Sequence, residues 1–224
     1  MTGSDSIASA AAGMRLTKFG HAAVRVEKDG RTLVIDPGTL SEPEALDGAD
    51  AVLVTHEHFD HFDEERLRTA AENNPALRIW TNPDVAGRLE GLGAGRVHTV
   101  THGDTFTAAG FDVEVHGEWH APIHPELPSV HNIGFVVDGE LFYPGDAFTL
   151  PERKIGTLLL LSHAPWANST QIFDYARAVG ATRAFNTHDG LLNDAGRGIV
   201  GGFFDRLVPG LAYTKLATGE SADI

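Results

Sequence analysis

Apolar residues in this chain come mainly in short runs of four to six, many of them β-branched, punctuated by glycine, proline and Asp-Gly pairs. Runs of that length bounded by turn residues predict strands. Arg15 to Phe19 is the first, broken at Gly20-His21, and Ala22 to Val26 the second. The Asp29-Gly30 pair predicts a hairpin into Thr32 to Ile35, which stops at Asp36-Pro37-Gly38. Ser41 to Asp50 reads as loop or short helix before Ala51-Val52-Leu53-Val54, an unbroken apolar run of the kind buried on both faces.

Further strands are predicted at Arg78 to Thr81, Ile155 to Leu161, Arg183 to Thr187 and Leu211 to Leu216. Arg96 to Trp119 alternates like strand, and Ile133 to Val137 pairs with Leu141 to Tyr143 through Asp138-Gly139. Helices are predicted at Asp63 to Ala71, with acidic residues first and arginine later, at Pro83 to Leu92, at Thr170 to Val179 before Gly180, and at Ile199 to Leu207. Ala121 to Val130 carries Pro122, Pro125 and Pro128, so it is a loop and a lid candidate. Strands interleaved with helices predict an α/β fold, an αββα sandwich of two mixed β-sheets flanked by helices. One domain is expected over residues 14–218, between an N-terminal tail (1–13) and a C-terminal tail (219–224).

Composition narrows the function. At 224 residues and 42% hydrophobic, the chain can bury a sizeable core. No apolar run approaches 18 residues, and the start lacks the basic and apolar regions of a signal peptide, so no membrane partner is expected. Cysteine is absent, which excludes disulfides and thiolate metal sites and is compatible with a cytoplasmic location. A net charge of −14 argues against a nucleic-acid partner, which demotes a nuclease or phosphodiesterase reading without removing it.

Candidate chemistry sits directly after the central strand, in Thr55-His56-Glu57-His58-Phe59-Asp60-His61. Ligands gather outside the carboxyl ends of strands in α/β sheets, and imidazole and carboxylate are donors for Zn²⁺, Mn²⁺ or Fe. A His-rich loop alone would be ambiguous. Here His and Asp recur after other predicted strands, at His120, Asp146 and His188, which favours a metal site.

This order of parts resembles the metallo-β-lactamase fold hydrolases: H-x-H-x-D-H after a strand, a later lone His, a Gly-Asp pair, and a last strand ending in His. It covers about Arg15 to Leu216. Gly20-His21, Ile35-Asp36-Pro37-Gly38 and Pro144-Gly145-Asp146 look like the small lactonase-like or UlaG-like members. The resemblance implies a dinuclear centre with two divalent ions, zinc first and manganese or iron as alternatives. His56 and His58 would bind one ion with a third His; Asp60, His61 and His188 would bind the other; Asp146 would bridge. Residues two apart in extended chain point the same way, so His56 and His58 can converge. The third His is His120 or His131. His120 ends the strand before the loop and is preferred, leaving His131 beside the site or facing substrate. His21 and Asp36 match positions that support ligands from behind, and His163 is a candidate substrate contact.

The implied reaction is attack of activated water on an ester, lactone, amide or phosphoester of a small-molecule substrate, with Asp60 orienting the nucleophile or serving as a ligand alone. A mononuclear iron oxidoreductase on the same fold and a non-catalytic metal-binding module are the competing readings.

Overall fold

Residue parity within each strand decides which layer a side chain enters. The computed structural model describes residues 13–224. In β4 (Ala51–Val54), Ala51 and Leu53 point into the core between two sheets, while Val52 and Val54 point outward under helices. The first sheet runs in the order β14 (Ser221–Asp223), β1 (Arg15–Lys18), β2 (Val24–Lys28), β3 (Arg31–Ile35), β4, β5 (Arg78–Thr81), β6 (Val97–Thr99). The second runs β13 (Ala212–Thr214), β12 (Arg183–Thr187), β11 (Thr157–Leu161), β10 (Leu141–Tyr143), β9 (Gly134–Val137), β8 (Phe111–His116), β7 (Thr105–Ala108). Both sheets are mixed, with parallel pairing along β3 to β6 and along β10 to β13.

Leu16, Val26, Leu33 and Leu53 from one sheet meet Phe111, Val113, Phe135 and Leu159 from the other to form the central core. Helices α1 (Glu64–Asn73) and α2 (Pro83–Arg88) cover the outer face of the first sheet through Leu67, Ala71 and Val85. Helices α3 (Ser169–Val179) and α4 (Asp194–Leu207) cover the second through Ile172, Phe173 and Phe204. This is the αββα sandwich expected from the pattern.

Local differences from the sequence expectation have identifiable causes. The 219–224 segment, expected as a tail, contains β14, which pairs antiparallel with β1 in the register Arg15↔Asp223. It is three residues long, and Ala222 within it and Ile224 after it pack against the central core, too short an alternation to signal a strand. Helix α4 begins at Asp194 rather than Ile199 because Asn193 caps it, its side chain accepting from Gly196 N at 2.9 Å. Helix α2 ends at Arg88, short of Leu92. Of the expected N-terminal tail, residues 1–12 lie outside the described residues.

Among the described residues, five non-glycine residues have φ near +50°, and Asp29, Ala109 and Asp138 do so in hairpin turns before a glycine. The other two, Asp36 and His188, sit at the ends of β3 and β12. Left-handed backbone outside a turn stores strain that surrounding contacts must hold, and it gathers at functional sites.

Candidate metal centre

The ends of β3, β4, β10, β11 and β12 and the loops after β1 and β8 all converge at one end of the sandwich. His56, His58 and His120 bring ring nitrogens within 4.8 Å of one another, and so do His21, Asp60, His61 and His188 with their ring nitrogens and carboxylate oxygen. Asp146 lies between the groups: its Oδ2 is 3.5 Å from His120 Nε2 and 3.1 Å from His188 Nε2, and its Oδ1 is 3.2 Å from His61 Nε2. Each group can hold a cation.

The hydrogen bonds behind these rings fix which nitrogen faces the centre. His61 Nδ1 donates to Asp36 Oδ2 at 2.6 Å, His120 Nδ1 to the Ala121 carbonyl at 2.5 Å, and His188 Nδ1 to the His163 carbonyl at 2.6 Å. His56 Nδ1 lies 2.9 Å from Thr55 Oγ1, which itself donates to Asp36 Oδ2 at 2.6 Å. A ring that gives its Nδ1 proton away presents an Nε2 lone pair, the tautomer a metal needs. His21 is wired the opposite way. Its Nδ1 accepts from Gly190 N at 2.9 Å, so the neutral ring carries its proton on Nε2, 3.3 Å from Asp60 Oδ2. His21 therefore supports Asp60, although its position among the second group would suit a ligand.

Asp36 is fully buried and also accepts from Thr55 N at 2.7 Å, so one carboxylate orients both Thr55 and His61. Asn132, buried, accepts from Asp146 N at 2.9 Å and donates to the Pro144 carbonyl at 2.9 Å, holding the Asp146 turn. Trp166 Nε1 approaches Asp146 Oδ2 at 3.2 Å.

Among the described residues, His61 Nε2, His120 Nε2, His188 Nε2 and Asp146 Oδ1 are buried without a hydrogen-bond partner. Orphaned buried polar atoms are rare, and here they face one another. Burial alone would neutralise the groups, yet the Asp146 and Asp36 charges push His61 well above its usual range, and Asp146 drives His188 up to about 9. Burial opposes ionisation of Asp146 too, but His61 and His188 hold its carboxyl well below the usual range. Burial lowers His56 and His58. The carboxylates demand positive charge at this point, and a bound metal would meet that demand with the rings neutral.

The remaining sequence candidates fall elsewhere. His131 does not join His56 and His58; its Nδ1 pairs with Asp84 Oδ2 at 2.7 Å and its ring stacks on Trp119, centroids 4.3 Å apart. His163 contributes its carbonyl to His188 through the backbone, so no side-chain chemistry is required of it there. The loop after His120 encloses a cavity of about 170 Å³ lined by His120, Ile123 and Leu127. One feature lay outside sequence reasoning: Lys18 Nζ is buried 2.8 Å from Asp189 Oδ1, directly behind His21 and His188. Lys18 reads as an ordinary polar strand end, and nothing local marks its partner 171 positions on.

A sandwich of this topology with His and Asp clustered at its strand ends is the metallo-β-lactamase architecture. Residues 15–181 match the family model described as "Beta-lactamase superfamily domain", and the chain belongs to that superfamily. It is 37% identical over 193 residues to Protein Rv0786c of Mycobacterium tuberculosis, covering 83% of this chain and 89% of that one. It is also 29% identical over 158 residues to the UPF0173 metal-dependent hydrolase MK1542 of Methanopyrus kandleri, covering 65% and 67%. Among solved structures, Igni18, a metallo hydrolase from Ignicoccus hospitalis, superposes with a TM-score of 0.71 at 18% identity, covering 95% of this chain and 98% of that one, which speaks to the fold.

Proposed function

We propose that this metal-dependent hydrolase of the metallo-β-lactamase superfamily works with two divalent ions, zinc first, and hydrolyses an ester, lactone, amide or phosphoester of a small molecule. His56, His58 and His120 would hold one ion; Asp60, His61 and His188 the other; Asp146 would serve both. The observation that carries this reading is the set of orphaned buried atoms of His61, His120, His188 and Asp146 turned toward a common centre. Bound there, divalent ions supply Lewis acidity that brings the ionisation of water toward neutral pH and draws charge from the oxygen of the scissile group.

The chain's own residues do the rest. Burial works against the Asp60 charge, but His188 and His21 outweigh it and hold the carboxyl far below the usual range. Asp60 therefore stays ionised at neutral pH, which suits ligation and orientation of the attacking water and disfavours a role as proton store. Asp36 holds the His61 ring in its productive tautomer, and the His163 carbonyl does the same for His188.

Elemental analysis with an absorption spectrum tests the centre. Two equivalents of a colourless metal with turnover of a lactone, aryl ester or phosphodiester support the reading. A single equivalent of iron with a coloured spectrum and no hydrolysis would favour the oxidoreductase and sink it.

A further inference from the structure

The segments that rim the centre, residues 19–23, 36–42, 55–63, 117–132, 144–152, 162–168 and 188–193, contain no lysine or arginine, although the chain has 17. Neighbouring arginines that reach these segments are already paired: Arg88, over the Phe62 ring, lies 3.7 Å from Glu57. Arg66 pairs with Asp63 at 2.9 Å and donates to the Ser41 carbonyl at 2.8 Å; Arg88 pairs with Glu64 at 3.2 Å; Lys18 is buried on Asp189; Arg197 pairs with Asp194 at 2.9 Å. Lys215 lines a cavity of about 470 Å³ together with Leu40, His21 and Gly190, and the carboxylates Glu42, Asp189 and Asp194 line it too.

The same rim is unusually apolar. Seven of the ten large hydrophobic side chains that stand exposed among the described residues lie on these segments. Phe59, 63% exposed, is inside the His motif itself. Leu40 is its neighbour, since Thr39 N donates to the Phe59 carbonyl at 2.8 Å and His21 N to the Leu40 carbonyl at 3.2 Å. Leu191 follows three residues after His188, so Leu40, Phe59 and Leu191 flank the Asp60 group. Ile123 and Leu127 stand on the loop leaving His120 and flank the other. Exposed apolar side chains placed around a candidate site are what an apolar group of a substrate would bind against.

We propose that the site selects a neutral substrate, an ester or lactone whose acyl part is apolar and bears no second charge; this rests on the hydrolase reading above. A carboxylate or phosphate on the far side of the substrate would meet no lysine or arginine of these segments, and would lie among the exposed side chains of Leu40, Phe59, Ile123, Leu127 and Leu191. In the reaction the water oxygen bonds to the acyl carbon, the acyl C–O bond breaks, and the departing alkoxide takes up a proton, giving a carboxylate and an alcohol.

Zinc-loaded protein is assayed on 4-nitrophenyl esters from acetyl to octanoyl, and on the adipoyl half-ester beside the hexanoyl ester. Each buried methylene is worth up to about fourfold in transfer, so kcat/KM is expected to rise at least ~10-fold along the series. The adipoyl half-ester is expected to run at least ~10-fold slower than hexanoyl. L127S/L191S is expected to flatten the octanoyl-to-acetyl ratio. A flat series, or equal use of the half-ester, overturns the proposal. Binding of 2-octanone and octanoate to metal-free protein, read by calorimetry, is independent of turnover. Tighter binding of the ketone supports the proposal, and tighter binding of octanoate overturns it. If no ester, lactone, amide or phosphoester is hydrolysed, the hydrolase reading falls and the ketone experiment alone decides the apolar preference. Sedimentation with neutral phosphatidylcholine vesicles together with a flat ester series would assign the rim to a membrane surface instead.

Discussion

His21 Nε2 stands 3.3 Å from Asp60 Oδ2 while His21 Nδ1 accepts the Gly190 amide at 2.9 Å, so a ring from the loop after β1 is held from one side and faces a carboxylate on the other. Removing that ring leaves Asp60 with one fewer partner, His188 Nε2 remaining at 3.3 Å. We expect His21→Ala to lower metal affinity or kcat by about 10–100-fold, the usual cost of losing a group behind a ligand. Titration with a zinc indicator and steady-state kinetics separate the two effects. Unchanged affinity and rate would show that Asp60 needs no such support.

Asp36 serves His61 and Thr55 together, and the backbone there is left-handed at φ 51°. Asp36→Ala removes the acceptor that fixes the His61 tautomer. A loss of about 10–100-fold in affinity for the ion that His61 would hold is expected, read as a fall in zinc stoichiometry after dialysis.

Metal removal should soften the fold. An ion that binds only the native state adds about 2.7 kcal/mol at a hundred times its dissociation constant. For a chain of this size each kcal/mol moves Tm by roughly 2–4 °C. Calorimetry before and after chelation is expected to show a drop of about 5–10 °C, restored by zinc; an unmoved Tm would contradict a native-state ion.

The pH dependence has a definite sign. His188 is raised from 6.5 to about 9 in the metal-free protein, where burial opposes its charge and Asp146 more than restores it. A raised base stabilises the fold below its unfolded value, and that contribution is lost as pH climbs through about 9. An ion needs the neutral ring, so zinc affinity should rise with pH from 7 to 9 and binding at pH 7 should release protons. Calorimetry in buffers of different ionisation enthalpy counts them, and zero release would refute the assignment of His188.

Lys18 and Asp189 are both buried and 2.8 Å apart, and burial lowers the Lys18 pKa against the pull of Asp189. Lys18→Met strands the carboxylate. Breaking one side of a buried pair costs about 3–5 kcal/mol, measurable by urea unfolding with the midpoint expected to fall sharply.

The parts of the site that are contiguous were legible in the sequence. His56, His58, Asp60 and His61 follow β4 within seven residues, so strand pattern and donor spacing are read together. The choice between His120 and His131 turned on how the chain returns after a proline-rich loop, which local pattern does not encode. The structure brings His120 to His56 and His58 and turns His131 to Asp84. The tautomer of His21 depends on an amide 169 positions away, and the Lys18 partner is as remote. Strand β14 was invisible because it is three residues long, held by backbone pairing, by Thr17 Oγ1 and Ser221 Oγ at 2.9 Å and by Ala222 and Ile224 against the core, too short an alternation to read. The central core followed readily from period-two runs.

His56, His58, Asp60 and His61 hang from one sheet, and His120, Asp146 and His188 from the other. A cation gripping both sets would therefore act as a rivet across the seam of the sandwich. On that assignment neither set is complete alone, so a nascent chain with only β1 to β6 assembled would hold an ion weakly, and tight loading would be a late event that reports the meeting of the two halves.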